Sequence, residues 1–318
     1  MRRNRSIIMH KKLFLVFPGQ GSQHSFMLSK NELLSYAKSS KNKIALDCLS
    51  DLISEDALAL IESDDDRINQ TSITQPILLF VSYLHYQKLL EVHPNIEIDC
   101  MSGHSLGEYT ALVCASAIDI CDALKLVRSR GELMEEAENG SMSAILGMDT
   151  QDVINICKNI TIESAGVVNA ANLNSPLQTV ISGNTAEIEL AEERCKDHGA
   201  KRAIRLNVSV ASHSELMREP ANLFCSILEE VDIRSPQFKI YQNADAIANT
   251  DHNLIKDNLV KQLYMPVKWL SIMQHVTNDH YLIEVGPSKV LTGLCKANGV
   301  KEFSYTSISN YSELFLES

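Results

Sequence analysis

The segment Gly103-His104-Ser105-Leu106-Gly107 places a serine between two glycines. It follows a short apolar run, predicted to be a strand over 96–101, and precedes a mostly buried helix predicted over 106–118. The glycines permit a tight, strained turn that projects the serine hydroxyl away from the backbone. The start of the helix directs free N–H groups at the same place, where they can stabilise an oxyanion. Ser105 is therefore a candidate nucleophile; the alternative is a solvent-exposed serine in a glycine-rich turn.

A serine nucleophile needs a general base, and the chain has ten histidines. Most of them lie in polar segments or near helix ends, and His104 lies beside the serine, on the opposite side of the turn. His213 differs because it lies where two patterns of secondary structure meet. We therefore take His213 as the candidate base.

A helix predicted over 120–137 carries two arginines on different faces. Arg130 lies on the apolar stripe of Leu126 and Leu133, whereas Arg128 lies on the solvent face. An arginine that points inward needs an anion. The periodicity alone leaves the role of Arg130 open: it binds the anionic part of a ligand, it forms a structural salt bridge, or its apolar stem is buried while the guanidinium reaches solvent.

The serine motif is preceded by a pattern typical of an α/β fold. An apolar run over 13–17 predicts a buried strand of a parallel sheet, and the glycine-rich segment 18–23 that ends it can bring main-chain N–H groups close to a ligand. This segment lacks G-x-G-x-x-G and G-K-[ST], so a phosphate-binding loop is not favoured. We predict helices over 44–62 and from 74 to about 90, with Pro76 at a first helical position.

The pattern changes between residues 138 and 209. Predicted strands and helices follow in the order β-α-β-β-α-β, which is typical of a ferredoxin-like unit; the strands are 143–147, 162–169, 177–182 and 202–208, and the helices are 151–158 and 186–198. Alternating helices and strands resume after residue 210, with a helix over 214–231 that Pro220 disturbs. We therefore predict two parts, one of residues 1–137 with 210–318 and one of residues 138–209.

Composition excludes several classes of protein. With 318 residues, of which 45% are hydrophobic and 22% are charged, the chain can bury a substantial core. The net charge of -11 argues against a general nucleic-acid binder, which needs a basic field. No apolar run approaches the roughly 18 residues of a membrane span. We expect neither nucleic acid nor a membrane as a partner.

The sequence also indicates a compartment. The eight cysteines form no C-x-x-C pair and lie mostly in apolar runs, as in a cytoplasmic protein with reduced thiols. The basic N-terminus does not read as a signal peptide, because its apolar stretch is broken by His10-Lys11-Lys12 and lacks a small-residue cleavage site. Met9 is as plausible a start as Met1.

These motifs, taken together and in this order, resemble the malonyl-CoA:acyl-carrier-protein transacylases of bacterial fatty-acid synthesis. The resemblance extends from about residue 13 to 296. It rests on seven segments: Phe17-Pro18-Gly19-Gln20-Gly21-Ser22-Gln23, Gly103-His104-Ser105-Leu106-Gly107-Glu108-Tyr109, residues 127–131 with Arg130, Asn174-Ser175-Pro176, Ser212-His213, Gln262-Leu263-Tyr264 and Glu284-Val285-Gly286-Pro287.

The resemblance implies an α/β-hydrolase-like core that carries an inserted ferredoxin-like subdomain. It also implies a role for each matching residue. Ser105 would be the nucleophile, His213 its base, the main-chain N–H groups of Gln20 and Leu106 the oxyanion hole, Arg130 the ligand of the malonyl carboxylate, Gln75 part of the pocket lining, and the main-chain carbonyl of Gln262 the acceptor that orients the histidine.

The activity implied is ping-pong transfer of a malonyl group from malonyl-CoA to an acyl carrier protein, through a malonyl ester on Ser105. We expect no metal and no cofactor, and a monomeric enzyme. We also expect replacement of the Gln262 side chain to matter little, because its main-chain carbonyl would do the orienting. The small Ser212 before the histidine leaves the exclusion of α-methyl substrates open.

Two other functions are compatible with parts of the pattern. A serine esterase or thioesterase of the α/β-hydrolase type needs an acid between serine and histidine in the chain, and none there has an evident triad position. A non-catalytic module that docks carrier protein would not need Ser105, His213 and Arg130 together.

Overall fold

The computed structural model describes residues 12–29, 32–301 and 305–308, so the two candidate start residues Met1 and Met9 lie outside the described residues. The described strands are β1 Lys12–Phe17, β2 Ile98–Gly103, β3 Ser141–Leu146, β4 Val168–Ser175, β5 Gln178–Gly183, β6 Arg202–Arg205, β7 Lys239–Tyr241, β8 His280–Glu284 and β9 Tyr305–Ser307. The described α-helices are α1 Leu33–Ala37, α2 Lys43–Ile53, α3 Ala57–Ile61, α4 Thr71–Val92, α5 Gly107–Cys114, α6 Ile120–Glu136, α7 Thr150–Ser164, α8 Thr185–Asp197, α9 Arg218–Glu229, α10 His252–Tyr264, α11 Trp269–Met273 and α12 Val290–Ala297. Short 3₁₀ helices cover Asp66–Asn69 and Glu215–Met217.

The larger part of the molecule is built on a five-stranded sheet with the order β7-β2-β1-β8-β9, in which every pair is parallel. The side chains of β1 alternate between two buried clusters. Leu13, Leu15 and Phe17 pack in one, while Phe14 and Val16 pack in the other. Apolar layers therefore cover both faces of the sheet, which explains why β1 is a continuous apolar run.

The second sheet is antiparallel and has the order β4-β5-β3-β6. With α7 after β3 and α8 after β5, this is the β-α-β-β-α-β arrangement of a ferredoxin-like unit. Apolar residues of the two helices and of the sheet share one buried cluster, which includes Ile145, Ile156 and Ile188. The predicted fold class, an α/β-hydrolase-like core with a parallel sheet plus a ferredoxin-like unit, is confirmed.

The helix predicted from residue 74 begins at Thr71, so Pro76 lies inside α4 and its predicted place at a first helical position is wrong. Proline has no N–H, and the Ser72 carbonyl one turn earlier therefore lacks its usual helical donor. Arg128 Nη1 donates to this carbonyl at 3.1 Å. The helix continues through the proline because a side chain of α6 supplies the missing hydrogen bond.

Other element boundaries differ from the sequence prediction for local reasons. The predicted helix over 44–62 is interrupted after Ile53, where Ser54 adopts a left-handed conformation and Asp56 caps α3. Pro220 does not disturb a long helix, because it lies in the first turn of α9, which begins only at Arg218.

In the ferredoxin-like unit, residues 162–164 were predicted as strand but form the last turn of α7. The β-branched residues there favour a strand. In the structure, however, the Ile162 side chain is 81% exposed and does not pack in the core. β9 was not predicted at all; it pairs in parallel with β8 at the edge of the larger sheet.

Two further observations concern the helices and the cysteines. None of the described helices combines the length and the hydropathy that a membrane-spanning segment needs. The cysteines are all free thiols, and most are buried.

Candidate active site

Ser105 lies on the turn between β2 and α5, and its φ of 51° is in the left-handed region. A Cβ on Gly103 would lie 1.9 Å from the carbonyl carbon of Gly107. A Cβ on Gly107 would in turn lie 2.0 Å from the carbonyl oxygen of Phe17. Both glycines are needed for this close approach, and the turn presents the serine at the carboxyl edge of the parallel sheet.

Ser105 Oγ lies 2.8 Å from Nε2 of His213, whose Nδ1 lies 2.6 Å from the main-chain carbonyl of Gln262. Because a carbonyl only accepts, we assign the ring proton to Nδ1, which leaves Nε2 to accept from the serine hydroxyl. Burial, with a contribution from the charge of Arg130, lowers the pKa of His213 to about 3. The imidazole is therefore neutral near pH 7, the form that a general base requires.

The end of α10 supplies the carbonyl that orients this histidine. Within a helix the Gln262 carbonyl would accept from the N–H of residue 266, but that residue is Pro266 and has no N–H. The neighbouring Leu263 carbonyl accepts the main-chain N–H of His213 at 2.9 Å. Two adjacent carbonyls at a helix end thus fix both the backbone and the ring of His213.

Gln20 and Leu106 line the same cavity as Ser105. A Cβ on Gly19 would lie 2.4 Å from the His104 carbonyl oxygen, so the loop after β1 packs directly against the turn. In the described part of the chain, the main-chain N–H groups of Gln20 and Leu106 have no hydrogen-bond acceptor. The N–H of Ser105, in contrast, donates to Oδ1 of Asn243 at 2.7 Å and is occupied.

The inner face of α6 places Arg130 beside Ser105. Its side chain is 1% exposed, and Nη2 lies 3.3 Å from Ser105 Oγ. Nη1 donates to Oε1 of the fully buried Gln75 at 2.8 Å. The helical register had predicted this inward orientation.

The side chain of Gln262 is as closely engaged as its carbonyl. Its Oε1 accepts from Arg130 Nη2 at 3.1 Å, while Nε2 donates to the Ser105 carbonyl at 3.0 Å and to Glu108 Oε2 at 2.8 Å. Gln262 and Glu108 are both fully buried. These contacts argue against the expectation that replacing the Gln262 side chain matters little, and we revise it.

The cavity above Ser105 has a volume of about 890 Å³. Gln20, Gln70 and Arg130 line it from the larger part of the molecule, and Met142 and Val208 line it from the ferredoxin-like unit. Ser105 therefore lies in a cleft whose walls come from both parts of the molecule.

The comparisons with known proteins agree with this geometry. The profile of a family described as acyl transferase domain matches residues 14–308. A malonyl CoA-acyl carrier protein transacylase of Haemophilus influenzae is 41% identical over 295 residues, which cover 90% of this chain and 92% of that protein. The chain belongs to the malonyl-CoA:acyl-carrier-protein transacylase family.

Solved structures of transacylases in this family superpose closely. That from Coxiella burnetii has a TM-score of 0.88 and 34% identity, and the match covers 96% of each chain. A malonyl-transacylase solved in complex with its type II PKS acyl-carrier protein also has a TM-score of 0.88 and 34% identity, covering 96% of this chain and 100% of the other.

In the part of the chain that the structure describes, no carboxylate contacts His213 in the way that a triad acid of the esterase type would. The group that meets His213 Nδ1 is a carbonyl, and the buried carboxylate nearest to the reactive residues, Glu108, contacts amides instead. This arrangement does not favour the esterase alternative.

Among the described residues, one group of side chains has the spacing of metal ligands: Asp99, Cys100 and His280. It lies at the amino edge of the parallel sheet, opposite the serine. His280 Nδ1 accepts from the N–H of Thr277, so Nε2 carries the proton and donates to Asp99 at 3.1 Å. Burial raises the pKa of Cys100 to about 12. We therefore interpret this group as a structural hydrogen-bonded pair beside a neutral thiol.

Sequence reasoning missed Asn243. Its Nδ2 donates to the Gly103 carbonyl at 2.7 Å while Oδ1 accepts from Ser105, so one amide clamps both sides of the turn. A usable signal was present, because Asn243 follows β7 at the carboxyl edge of the sheet, where ligand-binding residues of α/β folds gather.

Proposed function

We propose that this chain transfers a malonyl group from malonyl-CoA to the phosphopantetheine thiol of an acyl carrier protein, through an ester on Ser105. The observation that carries the proposal is the guanidinium of Arg130, buried 3.3 Å from the nucleophile. An acetyl group would leave this buried cation without a partner, whereas malonyl carries a free carboxylate one methylene group beyond its thioester carbonyl.

In the first half-reaction, His213 Nε2 takes the proton of Ser105 Oγ as the oxygen attacks the thioester carbonyl. The N–H groups of Gln20 and Leu106 stabilise the oxyanion. The carbon–sulfur bond then breaks, and the proton passes from His213 to the departing CoA thiolate. A malonyl ester remains on the serine.

In the second half-reaction the thiol of the carrier protein replaces CoA. His213 takes the thiol proton, the thiolate attacks the ester, and the proton returns to Ser105 Oγ as the carbon–oxygen bond breaks. The product, malonyl carrier protein, supplies fatty-acid elongation. Every step uses side chains and main-chain groups of this chain, so the proposed chemistry needs no metal and no cofactor.

Two further parts of the proposal concern the setting of the enzyme. The free, mostly buried thiols support a cytoplasmic enzyme. We also propose that the enzyme is a monomer. The ferredoxin-like wall of the cavity supports a boundary near residues 138 and 209 for the smaller subdomain, as the sequence predicts.

The proposal is tested by intact-protein mass spectrometry after brief exposure to malonyl-CoA, acetyl-CoA or methylmalonyl-CoA. We expect one malonyl adduct on Ser105 in the native protein, its transfer to added holo carrier protein, and no adduct in Ser105→Ala. His213→Ala should slow both half-reactions by about 10²–10⁴-fold. A malonyl adduct that persists in Ser105→Ala, or an adduct that only hydrolyses and never reaches carrier protein, would contradict the proposal.

A further inference from the structure

Arg130 is unusual among buried arginines in the kind of partner it has. Its acceptors are the Oε1 atoms of Gln75 and Gln262 and the hydroxyl of Ser105, at 2.8, 3.1 and 3.3 Å. Among the described residues no carboxylate pairs directly with it, and its Nε has no partner. A buried guanidinium normally meets a carboxylate, because its charge is costly to desolvate.

The compensating charge lies one residue further from the cavity. Glu108 is fully buried, and Gln262 Nε2 donates to its Oε2 at 2.8 Å. The main-chain N–H of Asn243 and the amide of Gln242 donate to the same carboxylate at 2.9 and 3.1 Å. Burial raises the pKa of Glu108, and the three donors, which favour the anion, limit that rise to about 7. One glutamine thus joins the arginine to the carboxylate.

We propose that Arg130 belongs to a separated ion pair, which keeps it available for the carboxylate of an anionic acyl group. The neutral amides of Gln75 and Gln262 hold the guanidinium, and its counter-charge, Glu108, lies behind Gln262. This inference rests on the proposed malonyl transfer. Gln262 and Glu108 act through Arg130 and are positioning residues. A carboxylate in direct contact with Arg130 would occupy the donors that the acyl carboxylate needs.

The first test compares Gln75→Glu with Gln75→Met. Both remove the amide nitrogen that lies 3.4 Å from Met134 Sδ, but only glutamate adds a carboxylate in contact with Arg130. We expect Gln75→Glu to lower kcat/KM for malonyl-CoA about tenfold or more relative to acetyl-CoA, through a higher KM. Gln75→Met should change that ratio less. An unchanged ratio in Gln75→Glu, or equal losses for both acyl groups, would overturn the proposal.

The second test is Gln262→Met, which keeps the main-chain carbonyl for His213 and removes the amide between Arg130 and Glu108. We expect malonyl transfer to fall about tenfold or more while acetyl transfer changes by only about threefold. Proportional losses would mean that the amide supports only the serine turn, through the Ser105 carbonyl. This variant also decides the question if thermal melting shows that Gln75→Glu does not fold.

Arg130→Ala separates this inference from the proposed function beneath it. If Arg130→Ala loses malonyl transfer selectively but both glutamine variants leave the malonyl-to-acetyl ratio unchanged, the separated ion pair is wrong and malonyl transfer stands. If Arg130→Ala itself leaves the ratio unchanged, the assignment of the carboxylate site is wrong.

Discussion

The two faces of α6 carry arginines two residues apart in very different surroundings. On the outer face, Arg128 Nε pairs with Glu132 at 2.6 Å and Nη1 donates to the Ser72 carbonyl at 3.1 Å. On the inner face, Arg130 is 1% exposed, and its acceptors among the residues that the structure describes are all neutral, Oγ of Ser105 among them. The outer arginine is paired with a fixed carboxylate, and the inner one is not.

The difference teaches how to separate a structural arginine from a binding one. Arg128 and Glu135 both reach the start of α4, where the carboxylate of Glu135 accepts the N–H of Ser72 at 3.1 Å. These charges have permanent partners and stabilise a helix start. Arg130 has polar partners that orient it without neutralising it. Changes on the inner face should therefore alter the reaction, and changes on the outer face should alter stability.

Of the two arginines of α6, the inner one is expected to have the larger effect when it is removed. A charge-assisted hydrogen bond contributes about 1.5–3 kcal/mol, so Arg130→Ala should cost roughly 10- to 150-fold in malonyl transfer per bond lost. Acetyl transfer should be spared or improved, because acetyl has no carboxylate to place. The measurement is kcat/KM for malonyl-CoA and acetyl-CoA side by side.

Arg130→Lys is the matched control for that substitution. Lysine keeps the positive charge but lacks the planar fork that binds a carboxylate through two hydrogen bonds. Its malonyl transfer should fall between that of the native protein and that of Arg130→Ala. Thermal melting checks that each variant folds, and losses of the same proportion for both acyl groups would identify Arg130 as a structural residue.

His213, which lies near the inner arginine, should contribute to the pH dependence of stability. Burial first, and then the charge of Arg130, lowers its pKa from 6.5 to about 3 in the folded protein. As the pH falls below 6.5, the unfolded chain binds this proton and the folded protein does not. The associated stability is therefore present above the unfolded pKa and is lost progressively between 6.5 and about 3.

Urea unfolding of the native protein and of His213→Gln measures this effect. Near pH 5 the histidine should account for about 2 kcal/mol of the stability lost on acidification from neutral pH. Gln at 213 cannot titrate, so the variant should lose that much less over the same interval. If both proteins lose the same free energy, His213 is not held neutral by its surroundings.

Local patterns predicted much of this site. The helical period predicted that Arg130 points inward, and the spacing of glycines predicted that Ser105 lies on a strained turn. Both predictions depend on a few adjacent residues. The order of strands and helices over 138–209 likewise predicted the second sheet. Each of these features depends on the geometry of one element, which a single sequence specifies.

Local patterns could not predict features that depend on distant residues, and the pairing of Gln262 with His213 was expected only from the family resemblance. Asn243 lies more than a hundred positions from the serine it clamps, and no local period relates them. Pro76 was placed at a helix start because a proline inside a helix is costly alone; the compensating donor, Arg128, comes from another helix. The residues of α10 that hold His213 and Arg130 meet them only through the tertiary fold.

The smallest expected effect concerns Arg128 and its hydrogen bond to the Ser72 carbonyl, which Pro76 leaves without a helical donor. Arg128→Ala removes the donor to the Ser72 carbonyl and the pair with Glu132, so we expect a loss of about 1–2 kcal/mol in the free energy of unfolding, with the malonyl-to-acetyl ratio unchanged. Urea unfolding in two backgrounds shows which contact matters. In Pro76→Ala, the new N–H at position 76 can donate to the Ser72 carbonyl within the helix, so Arg128→Ala should cost less there. An equal cost in both backgrounds would assign the effect to the pair with Glu132 instead. A changed malonyl-to-acetyl ratio in Arg128→Ala would mean that the outer face also affects the reaction, against the distinction drawn between the two faces.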